Sequence, residues 1–164
     1  MSNKQNFTAV EWSKLLESVV VTSMAVSAAD PSGLWGTIRE AFASRSAIES
    51  GRVISNGLIK EVLTDFESSD GRACIHDSLQ ARISGATPSD IVQRSLQALR
   101  EVAAILDSKA PGDAVAFKTW LSGIGQQVAE ASIEGGVFGI GGVRVSEDER
   151  ATLSDIARAL GSKS

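Results

Sequence analysis

The chain has 164 residues, a formal net charge of −4 with a pI near 5.0, and 43% apolar residues, enough to build one domain around one core. Its acidic balance, with no clustered run of Lys or Arg, argues against a nucleic-acid footprint. The single cysteine, Cys74, excludes an internal disulfide and gives no sign of secretion or of a cysteine metal site.

The opening stretch MSNKQNFTAVEW has no apolar signal core, and no segment approaches the roughly 18 uninterrupted apolar residues of a membrane span. A soluble, cytoplasmic protein is therefore expected. Three prolines, no tyrosine, and Ala, Leu, Glu, Ser and Arg recurring at helical spacing favour helices over strands. Successive start and stop signals predict an all-α domain spanning residues 1–164, with about seven helices.

Phe7 and Trp12 flank Thr8 and Glu11 with the spacing of a hydrophobic staple around a capping box, so the first helix should begin near Ala9. Its apolar residues, Leu15, Leu16, Val19, Val20, Val21, Met24, Ala25 and Val26, spread almost around the axis, as in a helix covered on most sides. Pro31 and Gly33 break that pattern, and Leu34, Trp35, Ile38, Ala41 and Phe42 supply the face of a second helix ending near Ser46. Ser55 or Asn56 can cap a third helix, which carries Leu58, Ile59, Val62, Leu63 and Phe66. After Asp70 a fourth carries Ala73, Cys74, Ile75, Leu79 and Ile83, and Gly85 stops it. Thr87, Pro88 and Asp90 open the fifth, whose inward residues run from Ile91 to Leu106.

The sixth pattern begins at Pro111, Gly112 and Asp113, and its inward stripe is Phe117, Trp120, Leu121, Ile124, Val128 and Ala131. Gln126, Glu130 and Glu134 fall four apart on another side, where like charges weaken an isolated helix by roughly 0.2 to 0.5 kcal/mol per pair. A bound cation or a nearby arginine would compensate. The loop GGVFGIGGVR follows, containing Gly135, Gly136, Gly139, Gly141 and Gly142. A phosphate cradle would need a preceding strand and a lysine, and the acids Glu147, Asp148 and Glu149 in the next first turn would repel an anion. The favoured reading is an ordered loop folding Val137, Phe138, Ile140 and Val143 back on the core. The seventh helix, Glu147 to Leu160, starts at a Ser146–Glu149 capping box and ends at Gly161.

The first and last helix pairs share a plan, with an apolar helix ending at an acid, a turn, and a shorter returning helix. This places Asp30 and Glu134 at equivalent helix ends, a weak internal two-fold repeat. In AVSAADPSG and in AEASIEGG followed by VSEDERATLSDIARALG, the chain resembles the tellurite-resistance TerB family, whose related domains occur in co-chaperones and other bacterial stress proteins. The resemblance implies a single TerB-like helical domain, with Glu134 as the acid ending the sixth helix, Glu149 as the acid opening the seventh, and Asp30 matching the first copy. The chain has Glu134 where the family carries Asp, adds the glycine insert, and has Pro31 directly after Asp30.

Catalysis has little support. Cys74 and His76 are two residues apart and face different ways on a helix, so they do not form a nucleophile and base, and no catalytic residue is expected. Cys74 should be a small buried apolar residue, His76 a surface or satisfied core residue, and Trp12, Trp35 and Trp120 core residues. The acids Glu130, Glu134, Glu147, Asp148 and Glu149 have two readings. Carboxylates on adjoining helix ends suit a divalent cation (calcium, magnesium or zinc), with Glu130, Glu134, Glu149 and Asp30 as the candidate metal ligands. Alternatively they complement the helix dipole and pair with Arg144 and Arg150. Two function classes follow: a non-enzymatic bacterial stress-response module binding metal ions or protein partners through its acidic end, and an enzyme with a small-ligand pocket beneath the Gly135–Gly142 loop. No organic cofactor is expected, and the oligomeric state is left open.

Overall fold

A computed structural model describes residues 2–29, 48–134 and 145–161, with side chains omitted at 131–134. The fold is all-α. After a 3-10 turn at Lys4–Asn6 come α1 (Ala9–Ala29), α2 (Gly57–Glu67), α3 (Ser69–Ile83), α4 (Pro88–Lys109), α5 (Pro111–Glu134) and α6 (Glu147–Ala159), and a helical turn at 48–53 precedes α2. No strand occurs among the described residues. The helix expected between Leu34 and Ser46, and with it Trp35, lies outside the described residues.

The helix starts follow from local chemistry. Thr8 and Glu11 exchange backbone-to-side-chain hydrogen bonds of 2.7 and 3.2 Å at the head of α1, while the rings of Phe7 and Trp12 meet at 5.8 Å. Asn56 Oδ1 accepts the Ile59 amide at 3.1 Å to start α2. Ser68, rather than Asp70, starts α3, its Oγ accepting the Gly71 amide at 3.0 Å. Thr87 and Asp90 form the box that opens α4, with Pro88 in the first turn. Ser146 and Glu149 do the same for α6. Gly85 and Gly161, at φ +66° and +76°, take the left-handed conformation that closes α3 and α6.

α1 is the central helix, and every other described helix touches it, α4 most extensively. Leu15, Val19, Val21 and Val26 are sealed from solvent. At about 1.5 to 3 kcal/mol for each fully buried large aliphatic side chain, this helix and its neighbours supply most of the folding drive. Ser18, Thr22 and Ser23 are also buried in α1, but their hydroxyls donate to the carbonyls of Leu15, Ser18 and Val19, so no hydroxyl donor is stranded. The expected stripe of α5 is buried from Phe117 through Val128. α5 approaches closely at Gly125, where a Cβ would stand 3.3 Å from Leu153 and 3.5 Å from Thr22, so α1, α5 and α6 meet at that glycine.

Candidate functional site

The relative direction of α5 and α6 determines where the acids fall. A Cβ on Gly161 would lie 3.8 Å from Lys118 Nζ, and one on Gly125 would lie 3.3 and 3.6 Å from Leu153 and Ile156. α5 therefore climbs from Lys118 to Gly125 while α6 descends from Gly161 to Leu153, and the two run antiparallel. At about 3.6 residues per turn, roughly one to two and a half further turns along each bring Glu130 and Glu134 level with Glu147, Asp148 and Glu149. The structure thus gathers the C-terminal acids of α5 and the N-terminal acids of α6 at one end of the bundle.

Their environments differ. Glu130 is exposed and accepts a 2.8 Å hydrogen bond from Gln126 Nε2, one turn earlier. Glu147 and Asp148 are exposed in the first turn of α6. Glu130, Glu147 and Asp148 form no ion pair with another described residue. Glu149 is only 4% exposed, and its Oε2 accepts the Ser146 amide at 2.9 Å, so this carboxylate holds the start of α6. Glu134 is the last residue of α5, whose final turn carries no basic side chain. Among the described residues, no group of three or more His, Cys, Asp or Glu side chains is arranged to hold a metal ion. Asp30, Arg144 and the Gly135–Gly142 loop, with any pocket beneath it, lie outside the described residues.

Cys74 departs from the expectation of a small buried apolar residue. It is half-buried, with Sγ 2.6 Å from Ser13 Oγ, because α3 lies at the edge of the core and buries only Gly71 and Ile75. His76 is exposed on a different side of α3. Trp12 and Trp120 are core residues as expected, at 4% and 2% exposure. Between α3 and α4 runs a shallow groove in which Arg82 reaches Glu17 at 3.0 Å and Arg94 Nη1 donates to the Arg82 carbonyl at 2.8 Å.

The opposite end of the molecule holds a polar arrangement that sequence reasoning missed. Residues 2–7 form a strap that runs from the start of α5 along α2 to its last turn. The Ser2 amide donates to Asp113 Oδ2 at 2.8 Å, and the Lys4 amide to Glu61 Oε2 at 2.7 Å. Lys4 Nζ donates to Asp65 Oδ2 at 2.5 Å, and the same oxygen accepts Trp12 Nε1–H at 2.8 Å. Asp113 is 4% exposed, and its other oxygen accepts Asn56 Nδ2 at 2.9 Å. Burial pushes the Asp113 carboxyl up, but the hydrogen bonds from Ser2 and Asn56 outweigh it and hold the group below its ordinary range. The Lys4 hydrogen bond, helped by Trp12, holds Asp65 low against its own burial. One local signal was readable, since Asn3 and Asn6 have capping-box spacing and form that box here. The contacts to Glu61, Asp65 and Asp113 span 57 to 111 residues and leave no periodic trace.

No family model matches the chain, and no match is found among curated proteins or solved structures.

Proposed function

We propose that the chain is a non-enzymatic, cytoplasmic helical module, similar to the tellurite-resistance TerB-like domains of bacterial stress proteins that its sequence resembles. Its acidic end binds cationic groups, either divalent metal ions or the basic side chains of a partner protein. The supporting observation is the antiparallel register of α5 and α6, which levels Glu130 and Glu134 with Glu147 and Asp148. Carboxylates from two helix ends offer the oxygen donors that hard cations such as calcium and magnesium take, and zinc accepts carboxylate oxygen as well. Glu149 serves this end by fixing where α6 begins, through its hydrogen bond to the Ser146 amide. Asp30 would belong to a second, first-copy position of the internal repeat.

The test is calorimetric titration of the intact chain with calcium, magnesium and zinc salts and with a lysine-rich peptide. The wild type is compared with the Glu130→Gln/Glu134→Gln variant. Binding that weakens at least tenfold in the variant is expected. Binding of equal strength in both proteins, or none in either, would overturn the reading.

A further inference from the structure

The strap contains an internal ligand. Lys4 Nζ sits 2.5 Å from Asp65 Oδ2 and 5.7 Å from the centroid of the Trp12 ring, a carboxylate and an aromatic face together, which is how ammonium groups are recognised. Both receptor groups are held by contacts besides the ammonium. Trp12 is 4% exposed in the core, and its indole N–H anchors Asp65 Oδ2 at 2.8 Å. Glu61, one turn earlier on α2, faces the same strap and accepts the Lys4 amide. The Lys4 side chain is 58% exposed and rides on a three-residue 3-10 turn.

Beside this pair lies an open cleft of about 550 Å³, lined by Asn3, Lys4, Gln5, Trp12, Glu61, Thr64 and Asp65. That volume lies within the range of ligand pockets. The Asn3 side-chain NH2 and the Gln5 side-chain amide offer donors and an acceptor of the kind a peptide backbone uses, the Thr64 hydroxyl, which donates to the Lys60 carbonyl, can still accept, and the acids Glu61 and Asp65 set the charge that a basic segment complements.

We infer that this cleft binds a lysine side chain presented by a basic segment of a partner protein, and that Lys4 is the internal occupant the incoming lysine displaces. Exposed ion pairs of the Lys4–Asp65 kind are worth little, so Lys4 weakens an external lysine by no more than roughly fivefold, and the incoming lysine adds no more than that to binding, the rest of the affinity coming from its segment's backbone in the cleft. The cleft is separate from the acidic end of the bundle. Its strap is tied to Asp113 at the start of α5, and Glu134, the last described residue of that helix, stands roughly 30 Å from Asp113 at 1.5 Å per residue. The inference stands on its own observations, and the variants separate the two sites: Lys4→Ala/Asp65→Asn removes only the cleft's lysine binding, and Glu130→Gln/Glu134→Gln, made in that background, reads the acidic end alone.

The test follows the Trp12 indole N–H resonance in the intact chain during titration with an N-acetylated, C-amidated Gly-Lys-Gly peptide. A matching Gly-Gln-Gly peptide is the control. Lys4→Ala should bind the lysine peptide about fivefold more tightly than wild type does, and about fivefold more tightly than it binds the glutamine peptide. Lys4→Ala/Asp65→Asn should lose that preference for lysine, and circular dichroism melting identifies any variant that fails to fold. If Asp65→Asn unfolds the chain, the glutamine control on Lys4→Ala carries the same test. A lysine peptide that leaves the Trp12 resonance of Lys4→Ala unmoved, or a glutamine peptide that moves it equally, would overturn the inference. So would wild-type dimerisation by sedimentation that Lys4→Ala abolishes, because the occupant would then be the strap of a second copy.

Discussion

Asn56 and Asp113, 57 residues apart, share a buried 2.9 Å hydrogen bond that ties the cap of α2 to the first turn of α5. The same asparagine starts α2 by accepting the Ile59 amide, and the same aspartate holds the strap through the Ser2 amide. Asn56→Ala should therefore cost more than a simple cap, because it also deprives a buried carboxylate of a donor. A loss of about 1 to 3 kcal/mol is expected, seen as a lower urea midpoint with an unchanged slope. An unshifted midpoint would show that the network is dispensable.

Acid should weaken the fold through these same groups. Asp113 and Asp65 are held below their ordinary value of 3.8, and Glu11 is lowered from 4.5 to about 2 by hydrogen bonds from Lys109 and then the Thr8 amide. Each protonates more readily in the unfolded chain. Their contribution is complete above the ordinary carboxylate values and drains as pH falls through the lowered folded-state values. The melting temperature should drop between about pH 4 and pH 2, and more shallowly in Asp113→Asn. A wild-type melting temperature flat over that range would contradict this assignment.

Two helical glycines should respond in opposite senses to alanine. At Gly71 an added Cβ would fall 1.9 Å from the Asp65 carbonyl oxygen, and that carbonyl belongs to backbone that cannot swing aside. At Gly123 nothing lies within 4 Å. Gly71→Ala should lose about 1 to 3 kcal/mol or more through overpacking, while Gly123→Ala should gain roughly 0.5 to 1 kcal/mol from helix propensity. A Gly71→Ala midpoint at or above wild type would contradict the close approach of α2 and α3, and a lowered Gly123→Ala midpoint would contradict the open space at Gly123.

Leu121 is sealed in the α5 stripe that packs on α1. Leu121→Ala should cost roughly 2 to 5 kcal/mol as a cavity mutation. A variant as stable as wild type in urea would place this face outside the core.

Elements governed by neighbouring residues were readable from the chain alone. The starts of α1, α2, α4 and α6 follow from Thr8, Asn56, Thr87 and Ser146, since capping chemistry is complete within four residues. The core stripe of α5 follows from its three- and four-residue spacing. At α3 the reading was less complete. Ala73 is exposed and Leu79 and Ile83 are only partly buried, because apolar residues at the edge of a bundle keep helical spacing without full cover. At the acidic end, sequence identified the residues and the structure supplied the antiparallel register that levels them. Glu149 closes the capping box that its spacing from Ser146 predicts, its Oε2 accepting the Ser146 amide. The strap was invisible because its partners lie on α2 and α5, far along the chain.

The most direct test of the acidic end is the melting temperature of chelator-treated protein, measured alone and then with calcium, magnesium and zinc in turn. At a hundredfold excess over the dissociation constant, a bound ion stabilises the fold by about 2.7 kcal/mol, a readily measured upward shift. The account predicts that at least one ion produces this shift, that Glu130→Gln/Glu134→Gln removes it, and that Glu149→Gln keeps it because glutamine preserves the capping box. If no ion moves the melting temperature of the wild type, metal binding at this end is contradicted, and the acids are a solvated face that complements the α6 dipole.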